Sequence, residues 1–163
     1  MKEFFSFPEL INETAARLVA SAVLLMSLIS IGLIKLEESF VLIILSLMAY
    51  GFLARVLFGP KISPLALVVT KILVPKLNFE EKLVPGPPKR FAQGIGLIFS
   101  ILILTLWLID LNTMSIVLLS ILSAFAFLEA SIGYCFGCKV FKFLISVGLV
   151  PDQICEKCAM YEY

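Results

Sequence analysis

Apolar and polar positions alternate on a scale of twenty residues, not of two or four. Four long apolar runs stand out: Leu18–Ile34 between Arg17 and Lys35, Phe40–Phe58 interrupted by Arg55, Phe91–Ile109 with no charge, and Met114–Tyr134 with Glu129 as its one charge. Each approaches the length that crosses a hydrocarbon core of roughly 30 Å at about 1.5 Å per residue. The runs are apolar on every face, as lipid-facing helices are. They predict spans at about 18–36, 40–58, 91–109 and 114–134. The expected fold is all-α, an antiparallel bundle of four transmembrane helices with interfacial amphipathic segments. Small residues such as Ser27, Ser30, Gly32, Gly94, Gly96, Ser123 and Ala126 suit close helix approach.

The polar stretches complete this picture. Glu3, Glu9 and Glu13 sit where a signal peptide would be basic, so the first span is expected to be retained. Asn12 or Thr14 is a candidate cap for a helix that starts before the membrane. Of the lysines and arginines, 12 lie on the side of the termini and the 59–90 connection, and only Lys35 lies on the other. That bias predicts a multi-pass protein of the plasma membrane with both termini in the cytoplasm. The connection 59–90 is expected to lie in the interface without crossing, because Pro60, Pro64 and Pro75 break its apolar part. Pro85-Gly86-Pro87-Pro88 reads as a stiff linker into the third span. Lys89 and Arg90 behind it are expected to reach lipid headgroups, and Arg55 to snorkel.

Composition agrees with the medium and removes several chemistries. The 163 residues are 61% hydrophobic and 15% charged, with a mean hydropathy of +1.07, against roughly 45–50% and about 25% in ordinary globular chains. There is no histidine, which excludes Ser-His-Asp and Cys-His catalysis and His-containing zinc sites; no haem is expected. A formal net charge of +1 gives no case for nucleic acid.

Chemistry is concentrated in the tail 135–163, which holds all four cysteines in the pattern C-x2-C-x16-C-x2-C. Cys135, Cys138, Cys155 and Cys158 together have the spacing of a four-thiolate site for zinc or an iron–sulfur cluster. A redox reading stands beside it. Gly133 ends the fourth span, so Cys135 and Cys138 fall at the start of a short amphipathic helix carrying Lys139 and Lys142. A helix N-terminus near lysines favours the thiolate, which attacks disulfides or carries sulfane sulfur. Cys135 is then the nucleophile and Cys138 the resolving thiol. A third reading has the cysteines simply packing as small hydrophobes. Glu129 precedes Cys135 inside an uncharged run, so it is a candidate to handle the thiol's proton, or the working group of a small transporter. Alternatively it pairs with Lys139 or a lysine of the connection. Whether the protein is an enzyme stays open.

Gly59-Pro60-Lys61-Ile62-Ser63-Pro64-Leu65, Arg90-Phe91-Ala92-Gln93 with Gly94 and Gly96, and Gly133-Tyr134-Cys135-Phe136-Gly137-Cys138-Lys139 occur in that order. In these landmarks, from about Leu18 to Phe143, the chain resembles a prokaryotic membrane family known as domain of unknown function number 4395, with a hallmark C-x-G-C. The resemblance implies a small polytopic membrane protein without an assigned activity. It implies membrane lipid as a partner, and thioredoxin-like or sulfur-handling proteins as further partners. Cys155 and Cys158 are not among the landmarks.

Overall fold

The computed structural model describes residues 10–59, 63–69, 71 and 83–148. Two short strands, β1 (Leu10–Asn12) and β2 (Leu83–Pro85), precede the helices α1 (Glu13–Lys35) and α4 (Gly86–Leu108). The strands pair antiparallel, with Leu10 opposite Pro85 and Asn12 opposite Leu83. This ladder sets the starts of α1 and α4 side by side at one end of the molecule. Between them lie α2 (Val41–Phe58) and α3 (Pro64–Val68); α5 (Asn112–Ile132) and α6 (Phe136–Ser146) follow.

The four long helices α1, α2, α4 and α5 are each long and apolar enough to cross a membrane, so the chain is an all-α, multi-pass membrane protein. Helix α1 packs most closely along α5, and α2 along α4. Helices α4 and α5 meet in the middle, while α1 and α2, neighbours in sequence, touch less. Leu45, Met48, Ile103 and Leu119 fill the centre. The outward face is equally apolar, with Leu25, Ile43, Ile98 and Val117 exposed, as a surface solvated by lipid should be.

Several small polar residues between the helices are satisfied locally, although Ser123 Oγ is buried without a partner among the described residues. Ser27 Oγ donates to Val23 O at 2.8 Å, and Ser100 Oγ to Gly96 O at 2.7 Å. Ser115 Oγ reaches across from α5 to Ile103 O of α4 at 3.3 Å. A Cβ on Gly96 would overlap the Phe52 ring, which shows why α4 needs glycine there. Gly32 and Gly94, expected at close approaches, have open space where a Cβ would be.

Two helix starts lie earlier than the hydropathy predicts. Asn12, one of the two candidate caps, is the cap of α1, its Oδ1 accepting from Thr14 N at 2.9 Å and Ala15 N at 3.3 Å, so the helix opens at Glu13, ahead of the apolar run, as that cap implies. Helix α4 opens at Gly86 and not near Phe91. The expected Pro-rich linker is its first turn. Proline lacks an N–H, and the first-turn N–H groups of a helix have no intrahelical partner, so Pro87 and Pro88 cost nothing there and preset φ.

Helix α3 and the following turn lie under the bundle, with Ala66 and Val69 buried against Ala15 and Val19 of α1. The described part of the 59–90 connection therefore packs at one end without crossing. At the opposite end the short turns between long helices carry Glu37 and Asp110 in the left-handed region, at φ 56° and 60°.

Candidate functional site

Three helices converge at the end where α1 and α4 begin. Helix α5 stops at Gly133, whose left-handed φ of 71° closes the helix with its N–H on Glu129 O. A Cβ there would also stand 2.9 Å from Glu13 Oε1. Arg17 of α1 reaches the same terminus, its Nε donating to Ala130 O at 3.2 Å and its Nη2 to Ser131 O. The chain turns through Tyr134 and starts α6 with Cys135 as the extended cap residue.

Helix α6 is held against two spans. Phe136 stacks on Phe125 of α5, ring centres 4.6 Å apart, and Phe141 tilts against Phe91 of α4 at 5.4 Å. Gly137 sits on Ala92, where a Cβ would come within 2.6 Å of the Ala92 Cα. The glycine of the C-x-G-C run is thus required by backbone packing.

That docking orients the two cysteines differently. Cys135 is buried and lines a half-open cavity of about 240 Å³ between β1 and the ends of α1, α2, α4 and α5. Cys138, third residue of α6, is half-buried. Their sulfurs are paired as a disulfide across a Cα separation of 5.3 Å, inside the usual range of roughly 4.4–6.8 Å.

The charged groups on the cavity are Arg55, Lys89 and Glu129, among the described residues. Lys89, expected at the headgroups, is turned inward: only 3% of it is accessible, and its Nζ lies 2.7 Å from Glu129 Oε1. The cause is the early start of α4, which places Lys89 in its first turn facing α5. Glu129 is therefore ion-paired with a lysine of the 59–90 connection and not with Lys139. Arg90 takes another course, its Nε capping α2 through Val56 O at 2.9 Å.

Arg55 does not snorkel. It is 4% accessible, its Nε donates to Gly51 O at 2.9 Å, and its guanidinium lies 4.3 Å over the Phe52 ring. It also borders a second, apolar cavity of about 440 Å³ between α1 and α2. Lys139 reaches over the Tyr134 ring at 5.9 Å and Lys142 is exposed, so the cations on the Cys135 side are Lys89 and Arg55. Hydropathy alone did not mark these two, because it carries no information on which way a terminal lysine or arginine points.

Cys155 and Cys158 lie outside the described residues, and with them half of the expected four-thiolate site. Among the described residues no three His, Cys, Asp or Glu side chains come together to hold a metal.

The model of the family described as Domain of unknown function (DUF4395) matches residues 11–146. The chain belongs to this family. No curated protein and no solved structure matches it. The DUF4395 match begins in β1 and ends on the last residue of α6, so it takes in the ladder, all four spans and the Cys135–Cys138 pair. Cys155 and Cys158 fall beyond it. Chemically, the geometry of the site needs no histidine: it joins a dithiol pair at a helix start to a half-buried carboxylate and two buried cations.

Proposed function

We propose that this DUF4395 protein is a thiol–disulfide or sulfur-relay protein of the plasma membrane, working through Cys135 and Cys138. The observation that supports this most is the pairing of the two sulfurs at the start of α6 with Cys135 directed into a charged cavity. A cysteine that merely packs does not need a partner sulfur three residues on, nor an ion pair beside it. The difference in exposure assigns the sulfurs to different partners. A protein thiol, thioredoxin-like or sulfur-handling, meets half-exposed Cys138 first, while Cys135 serves the cavity. This exchanges the roles expected from the helix start alone.

Trapping tests the assignment. In membranes carrying Cys135→Ser, Cys138 should accumulate mixed disulfides with a partner protein, resolved on non-reducing gels. Cys138→Ser should trap at least several-fold less. Equal trapping by both variants, or trapping through Cys135 alone, would overturn it.

The proposal places the site in the cytoplasm. Among lysines and arginines the 12-to-1 bias puts the site's end of the bundle inside, and the acidic turns at Glu37 and Asp110 outside. A membrane-impermeant maleimide given to intact, reductant-treated cells should label none of the cysteines, and should label Cys138 after permeabilisation. Labelling in intact cells would reverse the orientation and remove the cytoplasmic partner.

A further inference from the structure

Among the described residues, the charges around the cavity do not balance. Of those that line it, Arg55 and Lys89 bring two positive charges and Glu129 one negative. Lys89 pairs with Glu129 at 2.7 Å and the same carboxylate also attracts Arg55, which is 4% accessible with its Nε on Gly51 O and its guanidinium over the Phe52 ring, so among the described residues one buried positive charge is left over. With the disulfide closed, Cys135 adds no charge. A buried cation in a low-dielectric site is costly without a counter-charge. We infer that the oxidised cavity takes a small sulfur anion and that this anion attacks the disulfide at Cys135 Sγ. The inference rests on the disulfide chemistry proposed above and names its substrate class.

The step follows from the geometry. The anion enters past Leu10 and Phe136, which line the cavity and are exposed on its outer side. Its sulfur forms a bond to Cys135 Sγ, the Cys135–Cys138 bond breaks, and Cys138 leaves as a thiolate. Hydrosulfide gives a persulfide on Cys135; sulfite gives an S-sulfonate. No further oxidant or reductant is consumed. Cys138 is the better leaving group, because both sulfurs sit at the start of α6 but only half-exposed Cys138 has its thiolate solvated by water as well. A volume of about 240 Å³ is ample for a small sulfur anion.

The test uses the purified full-length protein in its disulfide form. It is reacted with sulfite, with hydrosulfide, and with two small thiols of opposite charge, mercaptoacetate and cysteamine, each rate normalised to its thiolate fraction. The mercaptoacetate-to-cysteamine rate ratio is expected to be at least tenfold larger than the ratio the same two thiols give with a free small-molecule disulfide, which removes their difference in intrinsic nucleophilicity. Mass spectrometry should place the sulfite and hydrosulfide adducts on Cys135 with Cys138 free. An adduct from only one of these two identifies which sulfur anion the cavity accepts. Arg55→Met should erase the charge preference, and Glu129→Gln, which adds to the surplus while still accepting from Lys89, should increase it. Adducts on Cys138, or a rate ratio in the folded protein no larger than that of the free disulfide, would overturn the inference; if Arg55→Met does not fold, Glu129→Gln decides. Should dithiothreitol open the disulfide with no anion preference shown, the redox reading stands and this inference alone falls. A chain with no reducible disulfide would overturn both.

Discussion

Glu129→Leu is expected to destabilise the protein by about 2–3 kcal/mol. That is below the roughly 3–5 kcal/mol for breaking a fully buried pair, because a quarter of the Glu129 side chain is accessible. The loss comes from Lys89. Its side chain is 4% accessible, so without the carboxylate the ammonium is a charge stranded among α1, α4 and α5. The double variant Lys89→Met/Glu129→Leu removes both charges and keeps the side-chain volume, so it should recover most of the stability. Thermal unfolding in one detergent, across the wild type, the two single variants and the double variant, gives the coupling directly. If both single variants unfold like the wild type, the pair is a superficial contact and Glu129 is free for other work, including the proton-coupled transport that an intramembrane carboxylate otherwise suggests.

The second large effect is expected at Gly137. In Gly137→Ala the new methyl meets the Ala92 backbone, which belongs to the middle of a helical turn and cannot yield as a flexible side chain does. Overpacking of this kind costs about 1–3 kcal/mol. Helix α6 is the smallest unit of the site and rests on two ring contacts besides this one, so the cost should appear as its detachment from α4 and α5. Cys135 would then leave the cavity and become accessible. The measurement is the alkylation rate of Cys135 in the reduced protein, expected to rise at least tenfold while the four spans keep their helical circular dichroism. An unchanged rate would mean that the glycine is there for some reason other than the approach to Ala92.

What the sequence makes legible here is set by the solvent. A span must be apolar on all sides, so four runs of lipid-compatible length are visible without any knowledge of their packing. The cap at Asn12 is legible for a similar reason, since an amide oxygen ahead of Glu13 satisfies N–H groups that a helix start leaves open. Gly133 and the short helix behind it are legible too, because a glycine after a long run and a C-x-x-C beyond it carry local signals.

Direction is not legible at the ends of the runs. Lys89 and Arg90 are adjacent and chemically alike, yet one turns in to Glu129 and the other caps α2. Only the phase of α4, set by its start at Gly86, separates them, and a Pro-rich start looks like a linker until the ladder between β1 and β2 is seen. Arg55 is a parallel case. Three residues from the end of α2 an arginine has water within reach, but the Phe52 ring and the Gly51 carbonyl hold it inside. The order of packing, with α1 against α5 and α2 against α4, has no trace in hydropathy, because every face of every span is apolar.

The central claim is that Cys135 and Cys138 form a reversible disulfide and do not act as half of a metal cage. Thiol counting with metal analysis, on the purified full-length protein before and after dithiothreitol, tests it most directly. The account predicts that Cys135 and Cys138 resist alkylation before reduction, become alkylated after it, and do so without release of stoichiometric metal. All four thiols, Cys155 and Cys158 included, protected together and freed by a chelator but not by the reductant would contradict it and make the tail a structural zinc or iron–sulfur site.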